Sequence, residues 1–171
     1  RPFHLVVAGS AGGKVRSAAH VAGEAALLSG LWAAQRDDYP ITVMTGHSIA
    51  EIVLSPREID YTAITRPDAL ILLSRDGLSK VGHQLAAMEP EDHVFALPEF
   101  ADVETRATKH VIDPAKAPTR PAKGAVALFC LARALNDLGI VSIEAMEAAA
   151  LLRPSEHAEK NAEAIRSAGA G

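Results

Sequence analysis

The apolar run His4-Leu5-Val6-Val7-Ala8 ends at Gly9-Ser10-Ala11-Gly12-Gly13-Lys14-Val15-Arg16-Ser17, which opens an alanine-rich stretch. Glycines at a strand-to-helix turn can present backbone N–H groups to an anion, at a helix end whose dipole also favours negative charge. Lys14 and Arg16 place cations where a helix N-terminus prefers carboxylates, and a bound anion would account for them. The same glycines suit a tight turn that binds nothing, and both readings stay open at this point. Gly9, Ser10, Ala11, Gly12, Gly13, Lys14, Arg16 and Ser17 are the candidate binding residues.

Neither standard phosphate motif fits. A nucleotide-hydrolase loop needs a glycine where Ala8 stands and a magnesium-binding hydroxyl where Val15 stands. The dinucleotide fingerprint has Ala11 and Lys14 at its second and third glycines. Its ribose-binding acid would be Asp37 or Asp38, with Arg36 beside them. Other reactive side chains stand alone. His47 precedes a strand, as a polar surface residue or a substrate contact, and His20 lies on the first helix, solvent-facing or hydrogen-bonded. Cys130, between Phe129 and Leu131, reads as a core residue. No carboxylate pair, no ligand-spaced His/Asp/Glu set and no Ser–His arrangement stands out, so no catalytic or metal-binding residue is assigned.

The elements that must position the turn follow from periodicity. Ser17 to Ser29 is a helix closed by Gly30, and Leu31 to Gln35 a second strand, giving a βαβ unit with the glycine turn at its first bend. Further strands are expected at Ile49–Leu54, Ala69–Leu73, His93–Leu97 and Lys109–Ile112, with a helix at Leu78–Met88. Pro114, Pro118 and Pro121 punctuate a linker over 113–123. Residues 124–171 read as helices: Gly124–Leu138, buried nearly all round, then Ile143–Leu152, and Ser155–Ser167, capped by Ser155 and packed by one edge. The fold class is α/β, a Rossmann-like, mostly parallel sheet flanked by helices with a helical C-terminal portion.

Bulk properties narrow the function. A chain of 171 residues is one domain with a real core. Its net charge of −4 argues against a nucleic-acid surface. One cysteine can form neither an internal disulfide nor an iron–sulfur site within this chain. No apolar run nears the roughly 20 residues of a membrane span and no secretory signal is visible, so a cytoplasmic protein is expected.

In order and spacing, the chain resembles the gamma subunit, or gamma domain, of the 2-oxoacid:ferredoxin (acceptor) oxidoreductases. This group acts on pyruvate, 2-ketoisovalerate, 2-oxoglutarate, indolepyruvate or phenylglyoxylate. Aligned on Ala22-Gly23-Glu24-Ala25-Ala26, the family's G-x-G-G-Q-G falls on Gly9 and Gly12, while Ala11, Gly13 and Lys14 depart from it. In the following Y-G-x-x-x-R-G-G segment Tyr39, Gly46, Glu51 and Ser55 match, and Pro40, Met44 and Thr45 do not. Pro56, Ile64, Pro67-Asp68-Ala69-Leu70 and the closing run Glu159 to Ile165 with Gly169 complete the likeness, over 1–171 as a single gamma-type domain.

The resemblance implies a non-catalytic subunit of a complex that oxidatively decarboxylates a 2-oxoacid to an acyl-CoA. Thiamine diphosphate and 4Fe–4S iron–sulfur clusters would lie on alpha, beta and delta partner subunits, and electrons would pass to ferredoxin or another acceptor. The glycine turn would face coenzyme A, with no cofactor held by this chain alone. The altered motif positions suggest an aromatic 2-oxoacid. Two alternatives remain: a purely structural assembly subunit without ligand, and a stand-alone Rossmann-type nucleotide-binding module.

Overall fold

The computed structural model describes residues 1–40, 46–60, 63–152 and 154–170. Among them are six strands and six helices: β1 (Phe3–Ser10), α1 (Val15–Leu28), β2 (Trp32–Asp38), β3 (His47–Ser55), β4 (Ala69–Leu72), α2 (Arg75–Lys80), α3 (Gly82–Ala87), β5 (His93–Ala96), β6 (Thr108–Val111), α4 (Val126–Asp137), α5 (Ile143–Ala150) and α6 (Ala158–Gly169). One sheet holds all six strands in the order β2-β3-β1-β4-β5-β6. β3 runs antiparallel to both neighbours, and the remaining pairs are parallel.

The expected βαβ unit is therefore split. β1 and β2 do point the same way, but β3 lies between them. Chain length explains it. Residues 39–46 between β2 and β3 are too few for a crossover, which takes a dozen or more, so the chain turns back antiparallel. β3 then fills the strand position beside β1.

β1 alternates between two cores. Leu5 and Val7 face α1 and α4 to α6, while Val6 and Ala8 face α2 and α3. A strand buried on both sides reads as an unbroken apolar run, which is why it stood out in the sequence. The buried face of α1 is built from Val15 and from Ala18, Ala19, Ala22, Ala25 and Ala26. Such short side chains let its axis approach the sheet, and a Cβ on Gly23 would come within 3.8 Å of the Ala33 Cβ. Gly30 and Gly139 close α1 and α4 at φ +83° and +69°, a conformation glycine adopts without penalty.

Two helices differ from expectation. The single helix at Leu78–Met88 is two short ones, beginning earlier at Arg75 and broken at Val81. The signal for the early start was Ser74, whose Oγ accepts a 3.0 Å bond from the Gly77 amide. The last helix starts at Ala158 behind His157, with no side-chain cap from Ser155. It also packs by more than an edge, burying Ala158, Ala162, Ala164, Ile165, Ser167 and Ala168. Small side chains hid that face from a periodicity reading. Ser167 Oγ donates to the Thr119 carbonyl at 2.7 Å and accepts from the Thr119 amide at 3.1 Å, clipping the proline-rich linker to α6.

Ion pairs close the opposite end of the sheet. The Asp68 carboxylate accepts from the His4 amide at 2.8 Å and pairs with Arg1. Buried Asp92 accepts from Arg66 Nε and from the Glu89 amide, both at 2.8 Å. These charge-assisted bonds tie the segments before β4 and β5 to their neighbours.

Two predictions follow from the packing. A Cβ on Gly77 would lie 2.5 Å from the Ala8 carbonyl carbon and 2.7 Å from the Gly9 nitrogen, backbone that cannot step aside. Gly77→Ala should cost about 1–3 kcal/mol in urea unfolding, while Gly82→Ala, which meets nothing within 4 Å, should stay within about 0.5 kcal/mol of the parent. The second concerns His110, stacked on Phe95 with ring centroids 4.4 Å apart, its Nε2 lying 2.9 Å from His93 Nδ1. Burial, then the neighbouring His93, lowers its pKa, with Asp137 partly opposing. The unfolded chain thus binds this proton at higher pH than the folded one, so stability should fall as pH drops through about 6.5. Urea midpoints between pH 7.5 and 5.5 should fall less in His110→Phe, which keeps the stack without the titration.

Candidate functional site

The chain leaves β1 for α1 on one side and returns through β4 to α2 on the other, so the C-terminal ends of β1 and β4 form the switch point where open α/β sheets bind ligands. The glycine turn lies there. Its residues divide by what each one does.

Gly9 is a packing glycine, because a Cβ on it would meet Val15 Cγ2 at 2.6 Å. Ser10 donates to Asp76 Oδ2 at 3.1 Å, and its carbonyl accepts the Gly13 amide at 3.0 Å. The Ala11 amide is bonded to the Gly46 carbonyl at 2.9 Å, so the two glycine-containing segments noted in the sequence meet in space. Gly12 and Lys14 have φ of +84° and +63°. Lys14 is the one non-glycine residue with positive φ among the described residues, and it occupies the N-cap of α1 with no side-chain cap. A left-handed lysine costs roughly 1–2 kcal/mol, so the turn spends stability on its shape.

That shape leaves donors unused. The first intrahelical bond of α1 runs from Ala18 to the Lys14 carbonyl, and the amides of Val15, Arg16 and Ser17 have no protein acceptor among the described residues. No carboxylate lies in the first turn of α1. Lys14 has no ion-pair partner there, and its Cγ sits 4.0 Å from where a Gly124 Cβ would be. The turn at Lys123–Ala125, just before α4, therefore borders the site. Gly124 and Lys123 were missed by sequence reasoning, because the linker returns them from β6 to β1. The available signal was a glycine directly following a lysine at the end of the proline-rich segment.

Arg16 is committed elsewhere. Its guanidinium lies 4.9 Å over the Tyr39 ring, and its Nε is 3.5 Å from Asp37 Oδ2. Gln35 Nε2 donates to Asp37 Oδ1 at 2.9 Å. Ser17 is exposed on the first turn of α1. Asp37 meets the first turn of α1 through Arg16, but β3 separates β2 from β1, so neither Asp37 nor Asp38 ends the strand adjacent to the turn as a dinucleotide-binding acid would. His47 begins β3 opposite Ser10, with Nε2 buried, unbonded and 3.6 Å from Asp38 Oδ1. His20 pairs with Glu24 at 2.7 Å on the surface of α1. Cys130 is 1% exposed, and burial pushes its thiol up to about 12. Met44 and Thr45, two of the three departures in the second motif, lie outside the described residues. Among the described residues no three His, Cys, Asp or Glu side chains are grouped to hold a metal ion, and no helix is long and apolar enough to cross a membrane.

Among the described residues the geometry thus offers a small set of free amides beside the unpaired Lys14 at a switch point, an arrangement suited to a phosphate. Comparison with known proteins agrees with the fold. The chain is 34% identical over 154 residues to the 2-oxoglutarate synthase subunit KorC of Methanothermobacter thermautotrophicus, spanning 84% of this chain and 80% of that protein. The KorC protein of Methanothermobacter marburgensis is also 34% identical, over 156 residues, spanning 84% of this chain and 81% of that one. Among solved structures, the gamma subunit of the keto/oxoacid ferredoxin oxidoreductase from Geobacter sulfurreducens has a TM-score of 0.77 at 21% identity, covering 97% of this chain and 95% of that one. A 2-oxoglutarate:ferredoxin oxidoreductase from Magnetococcus marinus reaches a TM-score of 0.80 at 14% identity, covering 99% of this chain but 31% of that one, so the same fold there is part of a longer chain. The pyruvate ferredoxin/flavodoxin oxidoreductase family matches residues 4–170. Nearly the whole chain being covered, it belongs to that family, as a gamma-type subunit of a 2-oxoacid:ferredoxin oxidoreductase.

Proposed function

We propose that this subunit forms the coenzyme A side of the active centre in a complex that converts a 2-oxoacid to an acyl-CoA. The observation that carries the reading is the unpaired Lys14 beside the unbonded amides of Val15 to Ser17. These donors suit a phosphate of the coenzyme. Thiamine diphosphate and the iron–sulfur clusters belong, in this reading, to alpha, beta and delta partners, with ferredoxin as acceptor. The residues here do not suit a cluster, since the single cysteine is buried with its thiol held protonated.

The names of the two KorC relatives favour 2-oxoglutarate as the 2-oxoacid, against the aromatic substrate suggested by the altered motif. Assembly has its own support in Leu27, Leu28 and Trp32, which cluster at the α1–β2 turn and are each more than half exposed. The isolated chain should show no thiamine-dependent decarboxylation.

The loop is tested in the assembled complex. Lys14→Glu should raise the KM for coenzyme A by about ten- to a hundredfold and leave the KM for the 2-oxoacid unchanged. Lys14→Gly removes the charge and relieves the left-handed backbone, so it should raise the same KM while keeping or increasing the urea midpoint. Wild-type coenzyme kinetics in both folded variants would show that the turn is structural.

A further inference from the structure

We infer that the stacked Arg16–Tyr39 pair is a seat for an adenine ring, adjoining the turn that holds its phosphates. The inference rests on the reading of the glycine turn as coenzyme-binding, and it names a second contact that this reading does not require. Tyr39 directly follows β2 and is 51% exposed. Arg16 comes from the first turn of α1, its side chain 59% exposed, with the guanidinium 4.9 Å from the ring centroid. Two exposed side chains from different elements would ordinarily lose conformational entropy by pairing, with little return at the surface. Here Asp37 holds Arg16 and Gln35 holds Asp37, so the guanidinium is held over the Tyr39 ring before any ligand arrives.

Its position matches the phosphate site. β1 and β2 run the same way with β3 between them, so Tyr39 and the glycine turn sit at the same edge of the sheet. They are separated by two strand spacings, roughly 9.5 Å, a span that a ribose can bridge between a base and its 5′-phosphates. Arg16 is the physical link, since its own amide is one of the free donors of the turn. The chemistry also fits. Guanidinium and phenol planes stack on the π-face of a purine, and the ion pair with Asp37 leaves Arg16 better suited to stacking than to binding phosphate.

The same chemistry would accept coenzyme A or a free adenine nucleotide, and the assembled complex can tell them apart. Tyr39→Ala should raise the KM for coenzyme A about 5- to 50-fold. The KM for 4′-phosphopantetheine, which keeps a phosphate but lacks the adenosine, should stay unchanged. Tyr39→Phe should behave as wild type, and Arg16→Lys, which keeps the charge but not the plane, should raise the coenzyme A KM several-fold. ADP should inhibit competitively with coenzyme A, with a Ki weakened by Tyr39→Ala. An unchanged coenzyme A KM in Tyr39→Ala, or an equal rise for both thiols, would overturn the assignment. So would ADP inhibition that is not competitive with coenzyme A. If Lys14→Glu alone impairs coenzyme A use, the phosphate turn stands and the adenine seat falls.

Discussion

The C-terminal end of β1 has no room for side chains, and the rest of the site depends on that constraint. A Cβ on Gly9 would strike Val15 at 2.6 Å, and one on Gly77 would strike the Ala8 carbonyl oxygen at 2.6 Å. Helices from both layers of the fold therefore press on the same two backbone units from opposite faces. With α1 brought so close, its first turn begins almost at the end of the strand. The connecting residues must reverse direction in the space left to them, which forces Gly12 and Lys14 to positive φ. The free amides at the start of α1 are a by-product of this tight junction, because nothing bulky can fold back to cap them.

Charge is distributed to match. The chain carries a net −4, yet Lys14, Arg75, Lys116, Arg120 and Lys123 have no ion-pair partner among the described residues. Lys14 and Arg75 follow the β1 and β4 ends, and the other three lie on the linker that leads from β6 back to the turn. At the other end of the sheet, Arg1 and Arg66 are bound to Asp68, Asp92 and Glu91. Cations without an ion-pair partner thus border the glycine turn, where they are available to an anion.

Much of this was legible in the residues, for identifiable reasons. β1 and β4 are buried on both faces and so announced themselves as apolar runs, and the closing glycines at 30 and 139 marked real helix ends. The glycine turn was recognised, but its internal division was not. Gly9 serves packing and Arg16 serves Tyr39, and both roles depend on elements whose placement only the assembled sheet defines. The splitting of the βαβ unit by β3 was not legible, because local pattern is silent on whether β2 or β3 lies next to β1. Alanine-rich faces, as in α6, also carry little hydrophobic contrast, so their burial is set by close approach and not by side-chain size.

The inserted position of β3 also governs when the first half of the chain can become structured. Among the described residues β2 has β3 as its single strand partner, and on that side of the sheet β1 likewise pairs with β3 alone. Neither ladder can close until residues up to Ser55 exist. During synthesis α1 can coil as soon as it is made, but its buried face stays without most of its floor until the β2–β3 hairpin arrives. The hairpin is local and forms fast, whereas seating it against β1 joins residues some forty positions apart and must pay for closing that loop. The glycine turn is therefore completed late, when Gly46 reaches Ala11, and the binding edge acquires its shape only after the strand order that surrounds it has been decided.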